Sequence, residues 1–573
     1  MRKIAIMSVL LLLMGVQVAF AQRSVTGTVI SSIDNLPLPG VTVVLRGTTT
    51  GTTTGIDGKY TIQVPNNQAV LVFSFVGFTT QEIMVGDLST VNVTLSESIT
   101  QMEEVVVTAL GIKRQTKALS YSAVEVRGDD VQKVPEINLM NTLQGKIAGV
   151  DINIAGTGAA GSSSVTIRGN TSISRDNNPL YVIDGVPITR ASSSYGGRDL
   201  GDALTTINPN DIETMSILKG AAATALYGSR ASNGVILITT KSGTGQKGLG
   251  ISYNGSFGFE NLVDPFRNRQ TLYGNSGMNG DNSDTYPTTW NQEVHRQWGP
   301  RYDGRDLGIN FNDNPNIPMT FGYRENHWKE FMRTGSTVTN DISFTGGGEN
   351  QRFRASISDM RYVSPVPNSN MNRQTASISI NSKFGKKITL EARANYSTSK
   401  SKNRPYPARY VQMLSLIPNS WDINWLKGDT DKWGAKPDGW MLPFSTNDYY
   451  QNPYWSAYQD AQYDERDRVT ANANLRYDIT DWLFLNGRIG TEKGMLKVTS
   501  IDAYGFLRGN VAGTGAVSEY TTNENQLNAE YSLNFNKAFG SFNIIAMFGG
   551  SATRSTYNRD GIRGDQLLIP FYH

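Results

Sequence analysis

The chain has 573 residues, of which 53 are Lys or Arg, 50 are Asp or Glu and none is Cys, so its formal charge is only +3. The missing Cys excludes disulfides, thiolate metal sites and a lipidated N-terminal cysteine, and the near-neutral balance gives no reason to propose nucleic acid as a partner. A charged fraction of 18% alongside 57 Gly and 25 Tyr leaves two classes: a soluble β-rich chain, or one that crosses a membrane as strands whose lipid-facing residues are only every second one.

The first residues, MRKIAIMSVLLLLMGVQVAFAQ, place Arg2 and Lys3 before an apolar run and end in Ala19-Phe20-Ala21. Residues 1–21 are therefore expected to be a signal peptide outside any fold; the run is short for a bilayer span of ~20 residues. Residues 22–98 carry short β runs (VTGTVI, GVTVVLRG, GKYTIQV, AVLVFSFVG) with Pro37, Pro39, Gly55, Asp57 and Gly58 in the breaks, which predicts a small antiparallel sandwich. The stretch LPLPGVTVVLRGTTTGTTTGIDGKYTIQV resembles the carboxypeptidase-regulatory-like, transthyretin-like domain, an accessory module without catalytic residues. A plain structural β domain fits the same pattern. Next, within a linker at 99–112, comes EEVVVTAL, a strand with no hairpin turn or second strand beside it. Val105, Val106 and Val107 are expected either to dock on an existing sheet or to wait for one from another chain.

Residues 113–245 change to mixed α and β. NLMNTLQGKIAGV places Leu139, Leu143 and Ile147 at a helical period ending at Gly149, which predicts a helix. VDINI, VTIRG and PLYVIDGVP follow as strands, with Asp184 and Gly185 as a turn. PNDIETMSILKG, AAATALYGSR and NGVILITTKSG then alternate short helical starts with strands. From 246 to 573 the texture is long and alternating. ISYNGSFGF puts Ile251, Tyr253, Phe257 and Phe259 on one side; KITLEARANY, RVTANANLRY and QLNAEYSLNF repeat the pattern, with Tyr396 and Tyr477 at apparent strand ends. Strands of roughly ten residues, apolar on one face, are the signature of an outer-membrane barrel, although a soluble antiparallel sheet alternates in the same way. The fold class is thus mainly β: a sandwich, an α+β domain and the first strands of an antiparallel barrel.

Few motifs carry chemistry. GTGAAG at 156–161 matches a dinucleotide fingerprint, but SSSVTIRG after it predicts a strand where that fingerprint needs a helix. His295, His327 and His573 are scattered and form no zinc-binding pair, and no nucleophile elbow accompanies the serines. Asp281 and Asp284 in GMNGDNSD lack the spacing of a Ca²⁺ loop. No enzyme, cofactor or metal is expected. The aromatic-dense stretch from Trp421 to Tyr458 offers rings for sugar faces, but packing of a long loop or an interfacial girdle is the simpler expectation.

In order, these parts resemble the SusC/RagA type of TonB-dependent outer-membrane transporter, most specifically through SVTIRGN, NPLYVIDGVPI and INPNDIETMSILKGAAATALYGSRASNGVILITTKSG. The resemblance implies a plug at 113–245 inside a barrel. It also implies a TonB box at Glu104, Val105, Val106, Val107, Thr108 and Ala109, which adds as a strand to the TonB C-terminal domain of the inner-membrane energising complex. Arg168 and Arg230 are candidates for holding plug to barrel wall, with Asp184 beside them. Implied too are a SusD-like surface lipoprotein, an oligosaccharide or peptide ligand, outer-membrane lipid around the barrel, and a periplasmic N-terminal domain in a Gram-negative cell. About nine or ten wall strands are visible against the 22 of plugged transporters, so the chain is expected to be the N-terminal portion of a longer protein. The alternative is an exported β-rich binding or adhesion protein that does not transport, with a secreted hydrolase a distant third.

Overall fold

The computed structural model describes residues 23–96, 105–107, 113–115 and 123–567, apart from 33, 49, 76–77, 134, 155–159, 175, 189–193, 196–197, 220–226, 245–247, 276–297, 312–313, 326, 429–430, 444–450, 506, 509–510 and 541. The expected signal peptide and Glu104, Thr108, Ala109, Asp281, Asp284, His295 and His573 lie outside the described residues. The chain forms two compact units, Met1–Val105 with Gln115–Lys117, and Val106–Arg114 with Ala118–His573.

In the first unit, alternation of apolar and polar residues makes seven strands: β1 (Arg23–Ser31), β2 (Thr42–Leu45), β3 (Gly51–Thr53), β4 (Lys59–Val64), β5 (Val70–Ser74), β6 (Gln81–Met84) and β7 (Val93–Leu95). They pair as two sheets, β4-β1-β7 and β3-β2-β5-β6, whose inward residues, among them Val25, Val29, Val43, Leu71 and Phe73, share one core. The expected antiparallel pairing holds throughout except that β7 runs parallel to β1. Gly27 permits this packing, because a Cβ there would stand 1.8 Å from the Val91 carbonyl oxygen.

Tyr60 is buried in this core and its hydroxyl donates to the Val91 carbonyl at 2.8 Å. Burial pushes its phenol up from 10 to about 12. Folding thus disfavours the phenolate, so the domain keeps its full stability below pH 10 and loses it as pH climbs from 10 towards 12. Absorbance titration of the N-terminal domain, whose sole tyrosine is Tyr60, is expected to show ionisation near pH 12, and Tyr60→Phe to abolish the signal.

The strand read as solitary has a neighbour. β8 (Val105–Val107) forms a two-stranded sheet with β9 (Lys113–Gln115) and joins neither sheet of the sandwich. The polar trio Lys-Arg-Gln carries no β pattern, and a backbone ladder needs none.

The second unit begins with a five-stranded sheet. Its strands are β10 (Ala123–Arg127), β13 (Leu180–Ile183), β14 (Val186–Pro187), β17 (Ile212–Leu218) and β18 (Val235–Thr240), in the order β10-β17-β18-β13-β14. A hairpin of β11 (Val150–Ile154) and β12 (Ser163–Ile167) packs on it, so a strand follows the glycine-rich sequence where a dinucleotide fingerprint needs a helix. A second small ladder pairs β15 (Ser194–Tyr195) with β16 (Arg198–Asp199). The helix expected from 138 to 149 is only a 3-10 turn at Leu139–Leu143. Leu139, Leu143 and Ile147 are buried as the periodicity required, but Gly145 and Gly149 take φ of 73° and 72° and break the helical path.

The remainder is a nine-stranded wall, every pair antiparallel. In order it comprises β19 (Leu249–Glu260), β22 (Gly335–Gly347), β23 (Gln351–Val363), β24 (Asn370–Phe384), β25 (Ile388–Lys402), β26 (Ala461–Asp478), β27 (Leu483–Asp502), β30 (Ala516–Phe539) and β31 (Phe542–Asp565). The missing numbers are two ladders in the connections, β20 (Asp306–Phe311) with β21 (Asn314–Thr320), and β28 (Leu507–Arg508) with β29 (Val511–Ala512). At one end the strands turn in a few residues, 348–350, 385–387, 479–482 and 540–541; at the other the connections include 261–334 and 403–460. These two long connections build a core of their own, containing Trp328, Phe331, Tyr410, Trp421 and Tyr454. Trp421 and Tyr454 are therefore packing residues, and His327 is a core histidine whose Nε2 meets the Trp421 carbonyl at 2.7 Å.

Which face of the wall is apolar separates the two readings that the alternation left open. In a soluble sheet the apolar face is the buried one. Here Ile251, Tyr253, Phe257 and Phe259 are 62–72% exposed, while the opposite face buries Asp341, Arg354, Arg373, Arg466, Arg468 and Glu492. That inversion is the arrangement of a lipid-facing barrel wall with a polar interior.

The apolar band also crosses the strand ladder on a slant. It spans Leu249–Phe259 on β19 and Phe542–Ala552 on β31, yet the register from Leu249 runs through Gly346, Phe353, Ile380, Ala392, Ala473, Ile489 and Ala529 to Ala552. The lower limit of the band on the first strand is its upper limit on the ninth. A slip of about ten residues over eight steps, at ~3.3 Å per residue and ~4.8 Å per strand, inclines the strands by roughly 40° to the band, within the usual range for closed barrels. Tyr396 falls mid-strand, at the band's edge.

Candidate functional site: the seam between plug and wall

Each of the nine wall strands sends at least one inward residue to the five-stranded domain. The densest contact is the segment 200–211, nearly all of it buried. Its local shape comes from Asx caps: the side chains of Asp202 and Asn208 accept from the backbone N–H of Leu204 and Asn210, each at 3.1 Å, which tightens two 3-10 turns. These turns leave carbonyls pointing outward, and wall guanidiniums cover them. Arg466 donates to the carbonyls of Asp202 at 2.8 Å and Gly201 at 3.3 Å. Arg468 donates to Ala203 at 2.9 Å and pairs with Glu492. Arg373 reaches the carbonyls of Ile137 and Thr205.

Three strands meet the acidic end of the segment. Asp211 pairs with Arg354 at 2.7 Å and accepts from Ser356 at 2.7 Å. Asn208 donates to Asp341 at 2.8 Å, and Asn254 donates to Asn210 at 2.8 Å. Arg404, just past β25, holds Asp464 through two bonds of 2.7 and 2.9 Å and donates to the Ala160 carbonyl at 3.0 Å. Such buried pairs are weak evidence for stability, because desolvation offsets the attraction, but they fix geometry and are costly to break from one side.

A second dock is the β13–β14 hairpin. Asp184 and Gly185 both take positive φ, 49° and 84°, which makes a tight primed turn. The Asp184 carboxylate accepts from the Thr240 backbone N–H at 2.9 Å and hydroxyl at 2.8 Å, and pairs with Arg393 of the wall at 3.2 Å. Gln526 donates to the Pro187 carbonyl. Across from the hairpin the wall has Gly490, where a Cβ would lie 2.3 Å from Val186 Cγ2. Gly490→Val is expected to cost about 1–3 kcal/mol by overpacking. It should lower the temperature at which the purified protein loses its folded gel band.

Of the other two sequence candidates, one touches the wall and one does not. Arg230 reaches Thr553 of β31 at 3.5 Å on an exposed surface. Arg168 stands exposed at φ 59° and makes no bond to the wall among the described residues. The arginines that do line the seam escaped the sequence reading because each is one polar residue in a polar strand face; their signal is charge recurring on the inward face of strands whose other face is apolar. Beside the seam, at its short-turn end, a cavity of about 600 Å³ is bounded by Gln132, Lys241, Asn254, Asp341 and Arg354. Burial, with Arg354 nearby, holds the Lys241 ammonium below the usual lysine value.

A folded domain seated on the inner face of a tilted wall, apolar outside, is the architecture of a plugged outer-membrane barrel. The chain matches the CarboxypepD_reg-like domain over residues 25–107 and the TonB-dependent Receptor Plug Domain over 115–235. Over 99% of its length it is 29% identical to TonB-dependent receptor P3 of Formosa agariphila, and over 96% it is 27% identical to TonB-dependent receptor SusC of Bacteroides thetaiotaomicron. It spans about half the length of these relatives, 51% and 52%. The RagAB peptide importer in its open-open state superposes with a TM-score of 0.57 at 20% identity, covering 82% of this chain and 51% of that one. The chain thus carries a CarboxypepD_reg-like domain and a TonB-dependent receptor plug domain beside a nine-stranded wall, and its homologues are TonB-dependent receptors, SusC among them.

Proposed function

We propose that the protein containing this chain imports oligosaccharides or other large nutrients across the outer membrane, powered through TonB and served by a SusD-like surface lipoprotein. The inverted wall, with lipid-type residues outside and a charged seam inside, supports this reading most directly. The long connections, with their aromatic core, would face the outside, and the short turns, the sandwich and the box the periplasm. SusC is a relative and RagAB a peptide importer, which favours a bulky polymeric ligand caught with a partner. No bond of the ligand changes.

Val105–Val107, with Glu104, Thr108 and Ala109 around it, would be the strand that TonB augments. An added strand gains affinity from main-chain bonds, and β8 shows that this stretch already takes an extended, ladder-forming backbone. Strand addition by TonB would extend this small ladder or replace β9 in it. Asp184, through Arg393, and Arg230, through Thr553, would help keep the plug in place while the pull acts on the segment N-terminal to β10.

The test is fractionation of the native gene product. Recovery in the outer membrane, with a folded band in cold detergent that shifts on boiling, is the expected result. A soluble product without heat-modifiable migration would overturn transport in favour of an exported binding protein.

A further inference from the structure

Outward charges gather where the apolar band ends at the long-loop side, and most of them are already matched. Arg361 pairs with Asp359 at 3.1 Å, Lys400 with Glu465 at 2.7 Å and Lys497 with Glu519 at 3.0 Å. Two cations at the border differ. Lys493 on β27 and Arg554 on β31 are exposed and make no ion pair among the described residues. Lys493 stands opposite Asn525, which stands opposite Thr556, and Arg554 lies one outward position below Thr556. Asn525 Nδ2 donates to Thr556 Oγ1 at 3.5 Å. The nearest outward acid, Asp467, accepts from the Tyr396 hydroxyl at 3.1 Å. Directly below lie the lipid-facing Ile489, Leu527 and Ala552.

We propose that Lys493, Asn525, Thr556 and Arg554 form a seat for the phosphate-bearing headgroup of an anionic lipid in the outer leaflet. Two unmatched cations, with two hydrogen-bonding side chains between them, sit at the level where acyl chains covering Ile489 and Leu527 end. That position fits a lipid phosphate better than a free anion, since the chains would lie on the band while the headgroup is held. The matched pairs further out offer no net charge to such a group. The orientation rests on the transporter reading above.

The experiment uses the full-length gene product purified from outer membranes and titrated with a bis-phosphorylated glycolipid (lipid A) in mixed micelles with phosphatidylcholine. Each cation near an anionic lipid surface contributes roughly fivefold, so K493Q/R554Q is expected to bind about thirty-fold more weakly, while K400Q, which loses a matched charge, should bind nearly as wild type. Unchanged affinity of the double variant, or an equal loss in K400Q, overturns the seat. Displacement of the lipid by millimolar inorganic phosphate overturns lipid as the occupant. Fractionation of the wild type is read separately: a product absent from the outer membrane removes the transporter reading and the seat with it, whereas membrane recovery with unaltered lipid binding removes the seat alone.

Discussion

Exchanging Arg404 for alanine is expected to cost the plug–wall assembly about 3–5 kcal/mol, the usual penalty for leaving a buried charge without its partner. Arg404 and Asp464 have side chains only 4% and 1% exposed, and the guanidinium is shared between that carboxylate and the Ala160 carbonyl of the plug. Losing it strands a carboxylate between β25 and β26 and releases the plug backbone at the same point. The readouts are the temperature at which the folded gel band disappears and the rate at which protease enters the plug, and both should move. R404M/D464L should recover much of the gel-shift temperature, because an apolar pair of similar volume removes the stranded charge. It should not recover protease resistance at Ala160, whose carbonyl still lacks its donor. A silent R404A would mean that the seam does not hold the plug.

The second large effect is expected at the box. Val106→Pro removes one backbone N–H and blocks the ladder, while Val106→Ala keeps both groups. If TonB binds by strand addition, the proline should weaken capture of the full-length protein by the TonB C-terminal domain by about 3 kcal/mol, roughly a hundredfold, and the alanine by only a few-fold. Equal losses in the two variants would show that side chains, not the backbone, carry recognition. Wild-type binding by the proline variant would place the TonB contact elsewhere.

On the import reading proposed above, the seam would let the plug be both fixed and removable. It is built from charge-assisted bonds to backbone carbonyls and a few buried ion pairs, with two small apolar clusters between plug and wall, Ile137 and Ala160 against Met360, Tyr362 and Met371, and Leu200 against Leu496, Val498 and Tyr520. Apolar interfaces resist separation in proportion to area, whereas a polar seam can exchange its bonds for water as it opens. The segment 200–211 and the Asp184 hairpin concentrate these bonds. By contrast, β10, the strand by which the chain enters the five-stranded sheet after the box, is an edge strand whose Val124 and Val126 are only partly buried.

Local chemistry alone determined a good deal of this protein. Alternation in KITLEARANY and QLNAEYSLNF located wall strands, because side chains in a strand change face at every residue. Asp184-Gly185 announced a turn, because few residue pairs tolerate two positive φ angles. The same local reading failed where distant parts decide. Leu139, Leu143 and Ile147 carry a helical period, yet two glycines and the surrounding core fold them into a turn. KRQ carries no strand pattern, yet its backbone pairs with Val105–Val107. Arg373, Arg466 and Arg468 in their strands, and Arg404 just past β25, are ordinary polar residues until the fold brings plug carbonyls against them. The apolar face of the wall was legible in the sequence; that it points outward was not. Alternation fixes which residues share a face, whereas burial of that face depends on what packs against the other, and here a charged plug took the inside.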